Sequence, residues 1–334
     1  MKKIIFIFSI IALASFTFYT RSLIYKKVHN PNKPISITIK KGQYWKSLEK
    51  LFLEKDIAIP YWHIKIWTLL KKQALLKSGE YLIPRNSTTH SILTVLSSGK
   101  SINYQVTLPE GYNIYDIHNT LQKTQIKNKE NFLTLVKDPN FIQEISSQLE
   151  LNEAIDSLEG FLYPETYSFT KDMDIKTFIQ SMISEYKKNI IPLYQLNKTK
   201  LSHYDILKLA SIIEKESGAD QREHRVISSV FWNRIKKGMM LQSDPTIIYP
   251  LFPNFDGNIK RRHIKMKNEY NTYQMKGLPK TPICSPNKIS YRATMEPDNT
   301  PYFYFVSKNN GTHSFSVTYK EHLRKVREYQ LRKR

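Results

Sequence analysis

Cysteine is almost missing from this chain: of its 334 residues only Cys284 is one. That excludes an intramolecular disulfide and any zinc site built on cysteines. Metal-ligand spacing is missing as well. His203, His224 and His263 form no ligand pattern, and each reads as a surface or capping histidine. The sequence calls for no metal and no cofactor. Acidic residues are scarce, 29 Asp and Glu against 51 Lys and Arg, for a net charge of +22. Such an excess suits an anionic partner: nucleic acid, an anionic membrane face or an acidic polymer. A lysine-heavy composition spread over solvated surface accounts for part of it. Hydrophobic residues make up 40% of the chain, enough for an ordinary packed core. The length leaves room for about two domains and a tail.

What is present at the N-terminus sets the compartment. Lys2 and Lys3 precede Ile4–Thr20, 17 residues without a charge, at the short end of the range for a spanning helix. Arg21, Lys26 and Lys27 close the run. This predicts a single-pass anchor in the cell (inner) membrane, with residues 1–21 as cytosolic tip and transmembrane helix and the body outside the cytosol. A cleaved signal peptide is the competing expectation, because Ala12-Leu13-Ala14 resembles a processing site. Against it, the apolar run continues through Phe16, Phe18 and Tyr19. Either way the body is exported, which argues against nucleic acid as partner. The basic run Lys260-Arg261-Arg262-His263 then suits wall carboxylates or anionic lipid headgroups.

Residues 22–34 are polar and proline-containing and read as a linker. Next comes an internal echo: ITIKKGQYWKSLEKLFLEKDI (Ile37 to Ile57) aligns with VTLPEGYNIYDIHNTLQKTQI (Val106 to Ile126). Gly42 matches Gly111, and Trp45/Ile114, Leu48/Ile117, Phe52/Leu121 and Ile57/Ile126 fall at equal offsets from them. Each copy reads as an alternating strand, a turn and a helix. Between the copies, GEYLIPRNSTTHSILTVLSSGK adds a strand and a short helix capped by Ser87 or Thr88, with Gly99 past its end. The module resembles LysM, a small glycan-binding fold, although plain scaffolding fits the pattern equally. The expected class is α+β: the anchor, a LysM-like strand/helix subdomain over 35–104, and a larger mixed α+β domain over 105–334. Residues 127–200 read as mainly helical, interrupted by LEGFLYPETYSF (Leu158 to Phe169). That segment gathers aromatics and the two glutamates Glu159 and Glu165 around Pro164, as sugar-binding faces or simply as core.

The chemistry concentrates further on. Ser202 opens a helix with Asp205 as its capping-box partner, and Ile206, Leu209, Ala210 and Ile213 form its apolar stripe. Glu214 and Glu216 fall on opposite flanks of that stripe, and the helical wheel does not choose between them. A carboxyl beside an apolar stripe is partly desolvated, so its pKa rises and it donates a proton near neutral pH. Asp220 and Glu223 predict a second capping box. The helix after it ends at Lys236 and Lys237 before Gly238. LQSDPTIIY (Leu241 to Tyr249) reads as a polar turn entering a strand, with Gln242, Ser243 and Asp244 as groups of the kind that orient sugar hydroxyls.

The order SIIEKES, VFWNRIKKGMMLQSDPTIIY, EYNTYQMKGLPKTPICSPN, PYFYFVSKNNGTHSFSVTYKEH resembles the MltG (YceG-like) family of endolytic murein transglycosylases. The likeness extends upstream through EGFLYPETY to the membrane anchor and covers essentially the whole chain. Where the family has its catalytic glutamate, the second Glu of E-K-E-[ST], this chain has Glu216. Family members typically read GLPPGPI where this chain has Gly277-Leu278-Pro279-Lys280-Thr281-Pro282-Ile283, so the shape of that loop differs. The resemblance implies that one carboxyl suffices. It protonates the bond between N-acetylmuramic acid and N-acetylglucosamine within nascent strands, and the muramic C6 hydroxyl closes onto C1 to leave a 1,6-anhydro end. Peptidoglycan strands are then the substrate, peptidoglycan synthases are candidate partners, and no metal or cofactor is needed. Gln242, Asp244, Asn271, Tyr273 and Glu165 are the candidates for sugar contacts; a turn cap, core amide or buried hydroxyl is the plainer role open to such residues. Two alternatives stay open: a non-catalytic wall-binding protein, and a muramidase in which Asp244 or Glu165 activates water.

Overall fold

A computed structural model of the protein describes residues 2–25, 27–29, 33–71, 75–218 and 220–331. The architecture is α+β, with short two-stranded sheets among many helices. It divides into two compact units, Met1–Tyr104 with Ser168–Met173, and Gln105–Tyr167 with Asp174–Arg334.

The first unit runs α1 (Lys2–Tyr25), β1 (Lys27–His29), β2 (Ile35–Ile39), α2 (Leu48–Leu53), α3 (Tyr61–Leu70), β3 (Gly79–Ile83), β4 (Ser87–Thr88) and α4 (Thr89–Ser98). Antiparallel β2 and β3, with Ile37 opposite Tyr81, direct Ile37, Ile39, Tyr81 and Ile83 into one core. Leu48, Phe52, Trp67, Ile92 and Leu96 close that core from the helices. Among the described residues no helix is long and apolar enough to cross a membrane. The side chains of Lys2 and Lys3, and residues 30–32 of the expected linker, lie outside the described residues. The rest of that linker is less plain than its polarity suggests. Helix α1 continues to Tyr25 because Ile24 is buried in the core, and β1 pairs with β4. Thr88 caps α4 by accepting from the Ser91 amide, and Gly99 ends it at φ 76°. Glu80 is buried, and burial alone pushes its carboxyl up. Hydrogen bonds from Lys171, Ser36 and Tyr104 outweigh that and hold it at about 2.

The second unit begins within β5 (Tyr104–Leu108) and continues through α5 (Ile114–Gln122), α6 (Phe132–Leu135), α7 (Pro139–Leu149), β6 (Glu165–Phe169), α8 (Ile175–Asn189) and α9 (Ile191–Tyr194). It then runs α10 (His203–Glu216), α11 (Glu223–Lys236), α12 (Asp244–Ile248), α13 (Arg261–Lys265), α14 (Lys288–Met295), β7 (Tyr304–Ser307), β8 (His313–Ser316) and α15 (Tyr319–Val326). The internal echo is real at the level of local structure. In both copies a strand reaches a glycine with positive φ, 80° at Gly42 and 74° at Gly111, where an L side chain is strained. Leu48/Ile117, Phe52/Leu121 and Ile57/Ile126 are then buried at equal offsets, the first member of each pair in the first unit and the second member in the second.

Helix α10 is the core of the second unit. It packs against α11, α12 and α14, and Leu209, Ile212 and Ile213 join Ile227, Phe231, Leu241 and Tyr249 in one cluster. Its apolar surface exceeds the expected stripe, since Leu207 and Ile212 are as buried as Ile206 and Ile213. Fully burying one such side chain contributes roughly 1.5–3 kcal/mol. Ser202 accepts from the Asp205 amide at its start. Two expectations are corrected. The expected capping box of Asp220 and Glu223 does not form: Asp220 pairs with Arg222 at 2.8 Å, and Glu223 is drawn to His313 instead. The segment after Ser243 is a helix, not a strand. Pro245, in the first turn of α12, fixes φ where no amide donor is needed, which favours a helix start over a ladder strand.

Candidate active site

A cavity of about 880 Å³ opens in the second unit, with Glu216 in its wall. Glu216 is the last residue of α10, so the apolar packing of that helix fixes where its carboxyl emerges. Ser243, almost fully buried, donates from Oγ to Glu216 Oε1 at 2.6 Å. The serine is itself held: its amide donates to Thr272 Oγ1 at 3.0 Å, and its carbonyl accepts from Thr246 Oγ1 at 2.6 Å. Gln242 turns the loop at φ 51°, a left-handed conformation that costs a non-glycine residue energy. The turn sends Ser243 inward to the carboxyl and leaves Gln242 and Asp244 exposed.

Burial pushes the Glu216 carboxyl up to about 7. The Ser243 hydrogen bond opposes that, the Asp244 charge adds to it, and the Arg234 charge opposes it. The negative end of α10 acts in the same direction as burial. A carboxyl raised in this way can give up a proton and take one back near neutral pH. A raised pKa by itself does not identify the site. Glu159 is also pushed up to about 7 by burial, yet it is sealed in the core, accepting from the Ile114 amide at 3.0 Å and the Tyr249 hydroxyl at 2.8 Å. Of these two carboxyls, only Glu216 faces the cavity.

The structure separates the two glutamates that the helical wheel left tied. Glu214 accepts from the Asn287 amide at 3.0 Å and from Ser290 Oγ at 2.7 Å, so it fastens α14 to α10. Burial raises its pKa as well, but it does not line the cavity. Of the expected sugar contacts, Gln242, Asp244 and Tyr273 gather round the cavity with Glu216. The Tyr273 hydroxyl donates to Asp244 Oδ1 at 2.7 Å. Asn271 stands apart: it is fully buried, and its amide nitrogen donates to the carbonyls of His263, Ile264 and Met266. It is a core amide pinning the start of the 271–275 turn. Glu165 is exposed on β6 and is not among the cavity-lining residues. Phe161, Tyr167 and Phe169 of the aromatic segment are buried as core.

Sequence reasoning missed three features. Arg234 lines the cavity from α11, its Nε donating to the Phe303 carbonyl at 2.7 Å and its Nη1 to the Leu241 carbonyl at 2.6 Å. Tyr304 of β7 lies under that guanidinium, 5.3 Å from ring centre to Cζ, and also lines the cavity. His313 on β8 forms a further part of the wall. In the sequence Arg234 looks like one of several basic residues at a helix end, and nothing local marks it. Among the described residues no group of acidic, histidine and cysteine side chains has the arrangement of a metal site.

The sequence profile of the YceG-like family matches residues 37–328. An endolytic murein transglycosylase of Bacillus subtilis is 27% identical over 323 residues, spanning 93% of this chain and 89% of its own length. A protein of the same name from Streptococcus pneumoniae is 29% identical over 331 residues; the match takes in 90% of this chain and only 59% of the pneumococcal protein's length. The crystal structure of a YceG-like protein from Listeria monocytogenes superposes with a TM-score of 0.61 at 28% identity, covering 88% of this chain and 99% of the other.

Proposed function

This chain belongs to the YceG-like family, and we propose that it is an endolytic murein transglycosylase with Glu216 as its general acid and base. One observation carries the assignment of the residue: Glu216 combines a pKa raised to about 7 with a place in the cavity wall. In the proposed reaction protonated Glu216 gives its proton to the oxygen joining muramic C1 to the next sugar, and that C–O bond breaks. The muramic C6 oxygen bonds to C1, and its proton passes to the Glu216 carboxylate, restoring the acid. No water is consumed. The nucleophile is tethered to the reacting carbon, which supplies high effective molarity without a second protein carboxylate. Gln242, Asp244 and Tyr273 are proposed to contact the sugars.

The muramidase reading has one observation in its favour, the exposed Asp244 in the same cavity. Tyr273 occupies one oxygen of that carboxylate, which suits a positioning role better than activation of water. The two readings separate by product. Purified full-length protein in detergent, given isolated glycan strands, is expected to release chains with anhydromuramic ends that borohydride leaves untouched. Mostly reducible ends, heavier by one water, would overturn the transglycosylase mechanism.

The location is part of the proposal. Ile4–Thr20 carries no charge, and its 17 residues would rise about 26 Å at 1.5 Å each, so spanning a hydrocarbon core of about 30 Å would rely on the charged residues at both ends of the run reaching the headgroups. We take α1 as an uncleaved anchor in the inner membrane with the body on the outer side, residues 35–104 as a LysM-like glycan-binding module, and peptidoglycan synthases as partners. Mass spectrometry of membrane-extracted protein is expected to find Lys2 and Lys3 attached. A mature N-terminus at Ser15 would establish a signal peptide instead.

A further inference from the structure

The cavity holds a second group fixed in orientation. His313, on β8, donates from its backbone amide to Glu223 Oε1 at 3.0 Å and to Oε2 at 3.1 Å, and its Nδ1 lies 2.7 Å from the same Oε2. Both side chains are nearly buried, with 11% and 14% exposure, so the pair is shielded from water. Phe305 packs edge-on against the imidazole at 5.5 Å and 90°, and Phe315 lies 6.4 Å away. The ring is therefore fixed in position and in plane. The backbone around it is fixed as well. A side chain at Gly218, two residues past Glu216, would come within 2.3 Å of the Gly311 carbonyl, so the β7–β8 turn and the end of α10 touch backbone to backbone.

With carboxylate oxygens facing Nδ1, the neutral ring carries its proton there, and Nε2 keeps its lone pair. No described residue hydrogen-bonds Nε2, and His313 lines the same cavity as Glu216. We propose that His313, oriented by Glu223, is a substrate-binding residue of this cavity whose Nε2 accepts a hydrogen bond from a donor of the bound amino sugar, a ring hydroxyl or the acetamido N–H. The inference rests on the glycan-cleaving reading of the cavity. No net proton transfer to His313 is involved: Glu216 remains the acid and the base, and His313 holds the sugar in register with it.

The Glu223→Gln variant makes the test sharp. With its oxygen at the Oε1 place the amide accepts from the His313 backbone N–H, and the –NH2 group faces Nδ1 and donates. In that orientation the ring carries its proton on Nε2, turning the acceptor in the cavity into a donor while shape and packing stay nearly constant, and the nitrogen spectrum of the variant reports that the switch has occurred before its binding is compared. The same inversion of an oriented imidazole follows when the acid of a Ser-His-Asp triad becomes an amide.

The experiment uses full-length protein in detergent with isolated glycan strands, and adds nitrogen NMR of the imidazoles. In the wild type, His313 is expected as the Nδ1–H tautomer; in Glu223→Gln it is expected as Nε2–H. Glu223→Gln should raise KM about 10-fold with kcat within about twofold, the worth of one hydrogen bond lost from a bound donor. His313→Ala should raise KM at least as far, and melting curves of both variants identify any loss of fold. To separate this inference from the reading beneath it, strand binding is measured without turnover in Glu216→Gln and in Glu216→Gln/Glu223→Gln. Strand binding by Glu216→Gln that falls about 10-fold in the double variant supports the proposal. Equal binding by the two, or an Nε2–H or doubly protonated ring in the wild type, overturns it while leaving the transglycosylase reading intact. No strand cleavage by the wild type removes both.

Discussion

Ser243 Oγ lies 2.6 Å from Glu216 Oε1 and donates to it, so the group that positions the carboxyl also sets its acidity. The hydrogen bond favours the ionised form and holds the pKa below where burial alone would place it. Ser243→Ala removes that donor, so the Glu216 pKa should rise and the alkaline limb of kcat/KM should move to higher pH. The loss of positioning should cost about 10-fold in rate, within the range of a bond to a charged group. An alkaline limb that stays in place would separate the serine from the acid.

Glu216→Gln keeps the shape of the side chain but can neither donate nor retrieve a proton. Cleavage should fall by at least about 10²–10⁴. Glu214→Gln should retain most activity, because its oxygen can still accept from Asn287 or Ser290 and it does not line the cavity. Anhydro-end release by the two purified variants decides the matter, and the reverse order would defeat the assignment.

Glu216 should also cost stability. Its pKa is raised from 4.5 to about 7 in the folded protein, so the fold holds that proton more tightly than the unfolded chain does. The penalty is absent below 4.5, grows as pH rises through the window and is complete above about 7. At about 1.4 kcal/mol per unit it amounts to about 3 kcal/mol. Glu216→Gln carries no such penalty, so its melting temperature should exceed that of the wild type at pH 8 and match it at pH 4. A residual slope should persist in both, because Glu159 shifts with the same sign. Thermal melts at the two pH values test this.

Asn271 and Tyr273 illustrate what sequence could and could not convey. Both are polar, both follow a basic helix, and both were candidates for sugar contacts. Which of them faces the cavity depends on where the 271–275 turn sits against α13, a tertiary fact with no local signature. The α10 apolar positions and the Gly42 and Gly111 turns were legible because periodicity and positive φ leave local marks. The strand expected after Ser243 failed because Pro245 at a helix start outweighs β-branched Thr246, Ile247 and Ile248. Glu223 was legible as acidic at a helix start, but its partner His313 is 90 residues away.

The pair yields a contrast. Asn271→Ala strips three carbonyls of their shared donor and should cost about 1–3 kcal/mol. It should lower the melting temperature while the folded fraction keeps its KM. Tyr273→Phe removes only the bond to Asp244 Oδ1 at the cavity and should melt close to the wild type with a raised KM. Melting curves alongside initial rates distinguish the two, and a KM effect confined to Asn271→Ala would reverse the placement.

Asp244 supplies the test of how many carboxylates the chemistry needs. Its charge disfavours ionisation of Glu216, so Asp244→Asn should lower the Glu216 pKa and shift the alkaline limb of kcat/KM to lower pH, opposite in sign to Ser243→Ala. If Glu216 acts alone, this variant should still form anhydromuramic ends, at a rate reduced by the smaller protonated fraction of Glu216 near neutral pH and by the altered contact with Tyr273. If Asp244 activated water, its amide could not take up the proton, and turnover should fall at least about 10²-fold. Scoring the ends of Asp244→Asn products with borohydride, beside the pH profile, reads both points at once. Near-complete loss of turnover together with reducible ends from the wild type would place Asp244 in the reaction and return the enzyme to hydrolysis.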